Sequence, residues 1–270
     1  MPAIDTGFYD ISHLDTLAAQ DSVIHRLDPR AKVLTTLCFV LAVVSCDSHA
    51  VSQLMPFFFF PLFLIVLGNL PVLYFCKKLI LLSPFVLFIG IFNPFLDRTV
   101  MLHIGPMAVS GGWLSFFSIF LRFILTVSVA FLLVATTGFT AVCMALEKLG
   151  APKVFTVQLL FLYRYIFVLV DEGVRMVRAR ALRCFNGRGT GLHAFSQLIG
   201  SLLLRTLDRA QRIHMAMQCR GFRGDIRLNR QLRIGRPEIL FMAGNLLFFL
   251  LVRIYNVPQL LGTFLLERSL

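Results

Sequence analysis

The chain has 270 residues, 57% of them hydrophobic and only 15% charged, with 28 phenylalanines and a mean hydropathy of +0.80. Soluble domains carry about 25% charged residues, so this balance excludes an ordinary soluble fold. The net charge is nonetheless +12, and it is concentrated: 17 Lys and Arg face 5 Asp and Glu between Gly138 and Pro237, while the rest of the chain holds 9 of each sign.

The N-terminal segment carries Asp5, Asp10, Asp15 and Asp21 before Arg26. It lacks the basic start and short apolar core of a signal peptide, so the first hydrophobic segment is expected to stay in the protein. Five apolar stretches come close to the roughly 20 residues that a spanning helix needs. They are Val33–Ser45 with its flanks, Leu54–Leu70, Leu79–Leu96, Trp113–Thr137 and Ile239–Tyr255. The first is short for a span and is expected to extend at its ends or to thin the bilayer locally.

Charge placement orients these helices. Arg26, Arg30 and Lys32 precede the first, Lys77 and Lys78 are expected between the second and third, and the basic block falls between the fourth and fifth. The opposite side receives Asp47 and His49, then Asp97, Arg98 and His103, then Arg253, Glu267 and Arg268. The positive-inside rule then gives five spans with the N-terminus inside and the C-terminus outside. Val154–Val170 is apolar apart from Gln158 and Arg164 and could be drawn as a sixth span. Crossing there would carry Arg175, Arg178, Arg180, Arg183 and ten further arginines outside, so it is expected to lie buried against the membrane-facing side of the cytoplasmic block.

That block should hold two long amphipathic helices. One runs from Phe155 to about Arg183 and changes from apolar to basic along its length. The other runs from His193 to Cys219, with Leu198, Leu202, Ile213 and Met217 at helical spacing and Arg205, Arg209 and Arg212 on the other face. Between them Asn186-Gly187-Arg188-Gly189-Thr190-Gly191 reads as a flexible join; it lacks the Gly-Lys-Ser/Thr ending of a phosphate loop. Gly221 suits a C-cap. The predicted organisation is therefore 1–137 for the N-terminal segment and helices one to four, 138–237 for the basic cytoplasmic region, and 238–270 for the last span.

Each amphipathic helix ends in an arginine, Arg183 and Arg220. A guanidinium there complements the helix dipole and offers a planar fork to a partner's carboxylates or carbonyls; a solvated basic face or an anionic-lipid anchor is the alternative reading. Arg122 lies near the middle of the fourth span, where a charge is costly. It is expected either to pair with carbonyls freed by Pro84 or Pro94 or to snorkel between packed helices as a structural element. The six histidines include no i, i+3 or i, i+4 pair, and Asp47 with His49 reads as loop capping, so no metal site is expected. The six cysteines form no Cys-x-x-Cys pair and read as reduced and structural.

Several motifs together resemble the transmembrane T component of energy-coupling factor (ECF) transporters, in particular its CbiQ-type cobalt members. They are His25-Arg26-Leu27-Asp28-Pro29-Arg30-Ala31-Lys32, Asn93-Pro94-Phe95, Ser110-Gly111-Gly112, Leu149-Gly150-Ala151-Pro152-Lys153, and Tyr163-Arg164-Tyr165 with Asp171-Glu172. The two arginine endings resemble that family's paired signatures of a small residue, Arg and usually Gly. The resemblance implies an all-α integral membrane protein with about five spans and a cytoplasmic pair of coupling helices. In it Arg183 and Arg220, with Cys219 and Gly221, would sit in grooves of two ATPase subunits. The first ending here is Leu182-Arg183-Cys184, which lacks the small residue, so Arg180 in Ala179-Arg180-Ala181 competes for the role. Arg122, Arg164 and Glu172 are further structural or coupling candidates.

The implied function is non-catalytic: the chain would transmit ATPase motion to a substrate-binding membrane subunit of an importer in the bacterial inner membrane. Partners would be two CbiO-like ATP-binding-cassette subunits, a CbiM-like substrate subunit, a small CbiN-like subunit and anionic lipids, with no nucleic acid. ATP and magnesium would be held by the ATPases, with no cofactor on this chain. Cobalt is the first choice of cargo, with nickel, a vitamin or a shared module as alternatives. An integral-membrane enzyme would need more than Asp171-Glu172, and a lone carrier would need midplane polar residues beyond Arg122.

Overall fold

The computed structural model describes residues 14–47, 51–93, 100–104, 107–183, 191–224 and 235–254. The chain divides into two compact units, Met1–Ala145 with Gln231–Leu270, and Leu146–Arg230. Apart from one hairpin the described elements are helical, and the architecture is that of an all-α membrane protein. Four described helices are long and apolar enough to cross a membrane: Val51–Gly68, Gly111–Thr137, Lys153–Arg183 and Arg236–Ile254.

In the first unit a single turn, Val23–Arg26, leads to α1, Pro29–Val44. Asp28 is its N-cap, accepting from the Arg30 amide at 2.9 Å, and Pro29 fits the first helical position because its missing N–H is one the helix end leaves unpaired anyway. Arg30 and Lys32 thus lie inside the first turn, where the sequence had suggested they precede the helix. α1 has 16 residues, short for a span as expected. α2, Val51–Gly68, is interrupted after its first turn by a 3₁₀ turn at Met55–Phe58 that accommodates Pro56, and ends on Asn69 in the left-handed conformation, φ 49°.

α3, Val72–Gly90, begins seven residues earlier than the expected Leu79, because the connection to α2 is only Asn69-Leu70-Pro71. Lys77 and Lys78 therefore sit in its second turn rather than between helices, and Lys78 places its ammonium 5.7 Å from the Tyr74 ring centroid. Pro84 cannot donate to the Ile80 carbonyl; the Ser83 hydroxyl takes that acceptor at 2.8 Å. Strands β1, Val100–Ile104, and β2, Met107–Ser110, form an antiparallel hairpin with His103 opposite Ala108. His103, expected between two spans, thus lies on a strand.

α4, Gly111–Thr137, packs against α1, α2 and α3, and Gly90 of α3 lies so close to the Phe116 ring that a Cβ there would meet it at 2.8 Å. α5 is Phe139–Lys148, and the last helix of this unit, Arg236–Ile254 (α8 in chain order), packs on α1. The core is aromatic. Phe39, Phe57, Phe60 and Phe249 meet with centroids 4.8 to 6.3 Å apart, tying α1, α2 and α8 by contacts worth about 0.5–1.5 kcal/mol each beyond burial.

The second unit consists of α6, Lys153–Arg183, and α7, Leu192–Cys219, which pack on each other. Both match the sequence expectation within a residue or two. The apolar half of α6 is not buried as expected: Thr156 and Leu160 alone are buried in this helix, while Val154, Phe155 and Leu162 are exposed. The expected flexible join, with Cys184, lies outside the described residues, as do His49, Pro94, Phe95, Asp97, Arg98, Glu267 and Arg268.

Candidate functional site

α6 starts from a glycine stop. Gly150, φ +113°, lets the Ala151 amide return to the Leu146 carbonyl at 3.0 Å, which ends α5, and Pro152 stands just before the first residue of α6. From there α6 runs 31 residues, about 46 Å, and α7 runs 28, about 42 Å. A clasp joins them. Glu172, with its side chain one quarter exposed, accepts from Arg205 of α7 and from Arg175 one turn along α6, both at 3.1 Å. Higher up, Arg180 Nη1 donates to the Ala194 carbonyl in the first turn of α7.

The contact to Ala194 bears on the rivalry between arginines. Arg180 is drawn into the helix pair, whereas Arg183, three residues on, is exposed and has no hydrogen-bond or ion-pair partner among the described residues. Ala179 beside them is exposed.

The end of α7 is held differently. Arg220 is the C-cap; Gly221, φ +78°, donates to the Gln218 carbonyl at 2.9 Å, and the Phe222 amide reaches the Met217 carbonyl at 3.0 Å. These two bonds make a Schellman motif. Phe222 then lays its ring 6.0 Å from that of Phe161 on α6, which fixes the direction in which the chain leaves. Cys219 and Arg220 are both exposed on this stapled terminus. Arg164, on the apolar half of α6, is exposed with its guanidinium carbon 6.0 Å from the Tyr165 ring centroid.

In the first unit Arg122 does pair with a carbonyl, but a different one from either expected. Its Nη2 donates to Cys46 at 2.7 Å, just past the end of α1, while the carbonyl freed by Pro84 is taken by Ser83. Arg253 approaches the Ser45 hydroxyl at 3.4 Å, so two arginines serve the orphan end of α1. The opposite end of α1 is tied by Lys32, nearly fully buried, whose Nζ donates to the Thr136 carbonyl at the end of α4 at 2.9 Å. His25 beside it is buried and bridged: Nε2 donates to the Leu17 carbonyl at 3.1 Å and Nδ1 accepts from the Ser22 hydroxyl at 2.7 Å. Burial, followed by the charge of Lys32, holds the His25 pKa below its ordinary value. Sequence reading missed the roles of Lys32 and His25; their signal was an Asp-Pro helix start flanked by a histidine and a lysine.

Comparison with known proteins fits this arrangement. Residues 20–232 match the family model described as cobalt transport protein, CbiQ. The chain belongs to the CbiQ family. It is similar to the energy-coupling factor transporter transmembrane protein EcfT of Listeria innocua, 27% identical over 76% of this chain and 82% of that one. It is similar also to the cobalt transport protein CbiQ of Salmonella typhimurium, 29% identical over 40% of this chain and 49% of that one. A shorter match, 32% identical over 35% of this chain and 16% of the other, is to a protein named as a fused cobalt transport protein, CbiMQ, of Methanocorpusculum labreanum. The chain is thus a multi-pass transmembrane component of the ECF transporter type.

Proposed function

We propose that this chain is the coupling subunit of an ATP-driven importer. Two ATP-binding-cassette subunits, CbiO-like and holding ATP and magnesium, close and reopen; α6 and α7 receive that motion and pass it to a CbiM-like substrate subunit, assisted by a small CbiN-like one. The observation that carries this reading is the exposed Arg220 on a stapled helix end, with Arg183 exposed on the other helix while Arg180 is engaged. A rigid helix of about 40 Å transmits a push at its end without absorbing it, and arginine grips acidic or carbonyl-lined grooves through its planar fork.

The cargo we favour is cobalt ion, on the names carried by the family and by the Salmonella relative. A shared module serving nickel or vitamin subunits is the second reading, because similarity to the Listeria EcfT protein extends over three quarters of this chain. In the proposed topology the N-terminus is inside, the C-terminus outside, and α6 lies along the inner face of the bacterial cytoplasmic membrane without crossing it, which keeps the arginines inside.

The test is a mild-detergent pull-down of the tagged chain from its native membrane, compared with Arg183→Glu plus Arg220→Glu. Wild type should bring an ATP-binding subunit and a membrane subunit whose identity names the cargo, and the double variant should lose the ATPase. Equal recovery in both, or a chain that purifies alone in both, removes the coupling assignment. Cysteine labelling tests the topology: a cysteine at Ser110 should react from outside and one at Gly189 only in opened vesicles, and the reverse pattern rejects the five-span arrangement.

A further inference from the structure

Between α6 and α7 lies a groove of about 600 Å³ whose wall carries Arg175, Arg180, Arg183 and Arg205 against one carboxylate, Glu172. Four guanidiniums to one carboxylate leave it strongly positive. Arg175 and Arg205 keep their side chains 65% exposed while sharing Glu172, so a second anion can reach both and compete with Glu172 for them. Guanidinium forks match phosphate geometry in pairs.

The surroundings say which phosphate. Met176 and Leu198 line the same groove, and the exposed side chains of Leu182, Phe195 and Ile199 stand on the helices that form it. α6 itself changes character at this level: Leu162 and Leu169 are exposed and apolar, Arg175 and Arg178 exposed and charged. Along a helix at the membrane surface, the passage from apolar to arginine-rich within two turns puts Arg175 and Arg178 beside the headgroups.

We infer that this groove is a binding site for the phosphate of an anionic phospholipid, with Arg175 and Arg205 as its principal ligands and Glu172 as the resident anion the headgroup competes with. Occupancy draws Arg205 from Glu172 and so loosens the clasp between the two helices. The surface charge and lipid composition of the membrane thereby set how firmly the pair moves as one body. The inference does not depend on the coupling role of Arg220, and its test reads lipid rather than transport.

The full chain, purified in mild detergent, is offered equal amounts of phosphatidylglycerol and phosphatidylcholine, and retained lipid is counted by native mass spectrometry. Phosphatidylglycerol should be retained preferentially. Arg175→Gln and Arg205→Gln should each weaken retention about fivefold, the worth of one arginine at an anionic surface. Glu172→Gln should strengthen it, a gain that a misfolded chain does not give. Arg209→Gln and Arg212→Gln, which remove equal charge from α7 outside the groove wall, should leave it unchanged. Inorganic phosphate in excess should not strip the lipid, since it lacks the apolar portion that meets Met176 and Leu198. Equal retention of both lipids, equal losses in the Arg209 and Arg212 variants, weakened retention in Glu172→Gln, or displacement by inorganic phosphate overturns the proposal. So does arginine-dependent capture of a protein partner with no lipid retained, which would assign the groove to an acidic protein segment.

Discussion

Replacing Gly221 by alanine isolates the staple that presents Arg220. A Cβ added at Gly221 meets nothing within 4 Å, so the substitution introduces no clash and its whole cost is conformational. At φ +78° an L-residue with a Cβ is disfavoured by about 1–2 kcal/mol, which lowers the fraction of chains with the motif formed by a factor of about 5–30 wherever the staple is only marginally stable. Loss of the motif releases the bonds to Gln218 and Met217 and lifts Phe222 from Phe161, so Arg220 is no longer held in one direction. Binding to a partner that needs the formed end weakens by the same factor as the competent fraction falls. The assay is a titration of the detergent-solubilised chain against its ATPase subunit, with Gly221→Ala and Gly221→Asn in parallel. Asparagine tolerates the left-handed region and should stay close to wild type, while alanine should lose roughly fivefold or more in apparent affinity. Alanine binding like wild type, or asparagine as weak as alanine, would refute the claim that backbone conformation at this position delivers the arginine.

His25 makes the first unit sensitive to acid. Its folded pKa is depressed, so the unfolded chain binds the proton more tightly; the stabilisation is fully present above about pH 6.5 and is lost as pH falls toward the folded value. Thermal unfolding in detergent should show a midpoint that drops on acidification through this range, and His25→Gln should flatten that dependence. Arg122→Met should lower thermal stability by about 1–3 kcal/mol, because the Cys46 carbonyl past the end of α1 loses its donor, whereas Arg122→Lys should recover part of it. A neutral outcome for Arg122→Met would show that lipid or water supplies that carbonyl equally well.

What the sequence could and could not disclose follows from which forces are local. Helices α6 and α7 were legible to within two residues because their apolar periodicity, charged faces and terminal glycine are short-range signals. Gly221 was readable for the same reason. The start of α3 is not legible from Lys77 and Lys78, which read as a break between spans; a lysine near a helix end can lift its ammonium clear of the apolar surface, so charge alone does not mark the boundary. The hairpin at Val100–Ile104 and Met107–Ser110 carries its own signal, two short apolar runs separated by Gly105 and Pro106, each far too short to read as a span. The site contacts were beyond reach for another reason. Glu172 meets Arg205 across 33 residues and Lys32 meets Thr136 across 104, and no periodicity encodes a partner so remote.

The two arginine ends are not equivalent, and the asymmetry follows from how each is held. Arg220 sits on a backbone locked by two hydrogen bonds and an aromatic contact to α6, so a force applied there moves α7 and the facing part of α6 together. Arg183 lies one turn past Arg180, whose bond to Ala194 ties α6 to the start of α7, and eleven residues past the Glu172 clasp. A force at Arg183 therefore reaches α7 through polar contacts that water and lipid phosphate can compete for, whereas a force at Arg220 reaches α6 through packed rings that they cannot displace. Of the two, the Arg220 end transmits displacement with less loss, and the Arg183 end is the one whose transmission the membrane environment can tune.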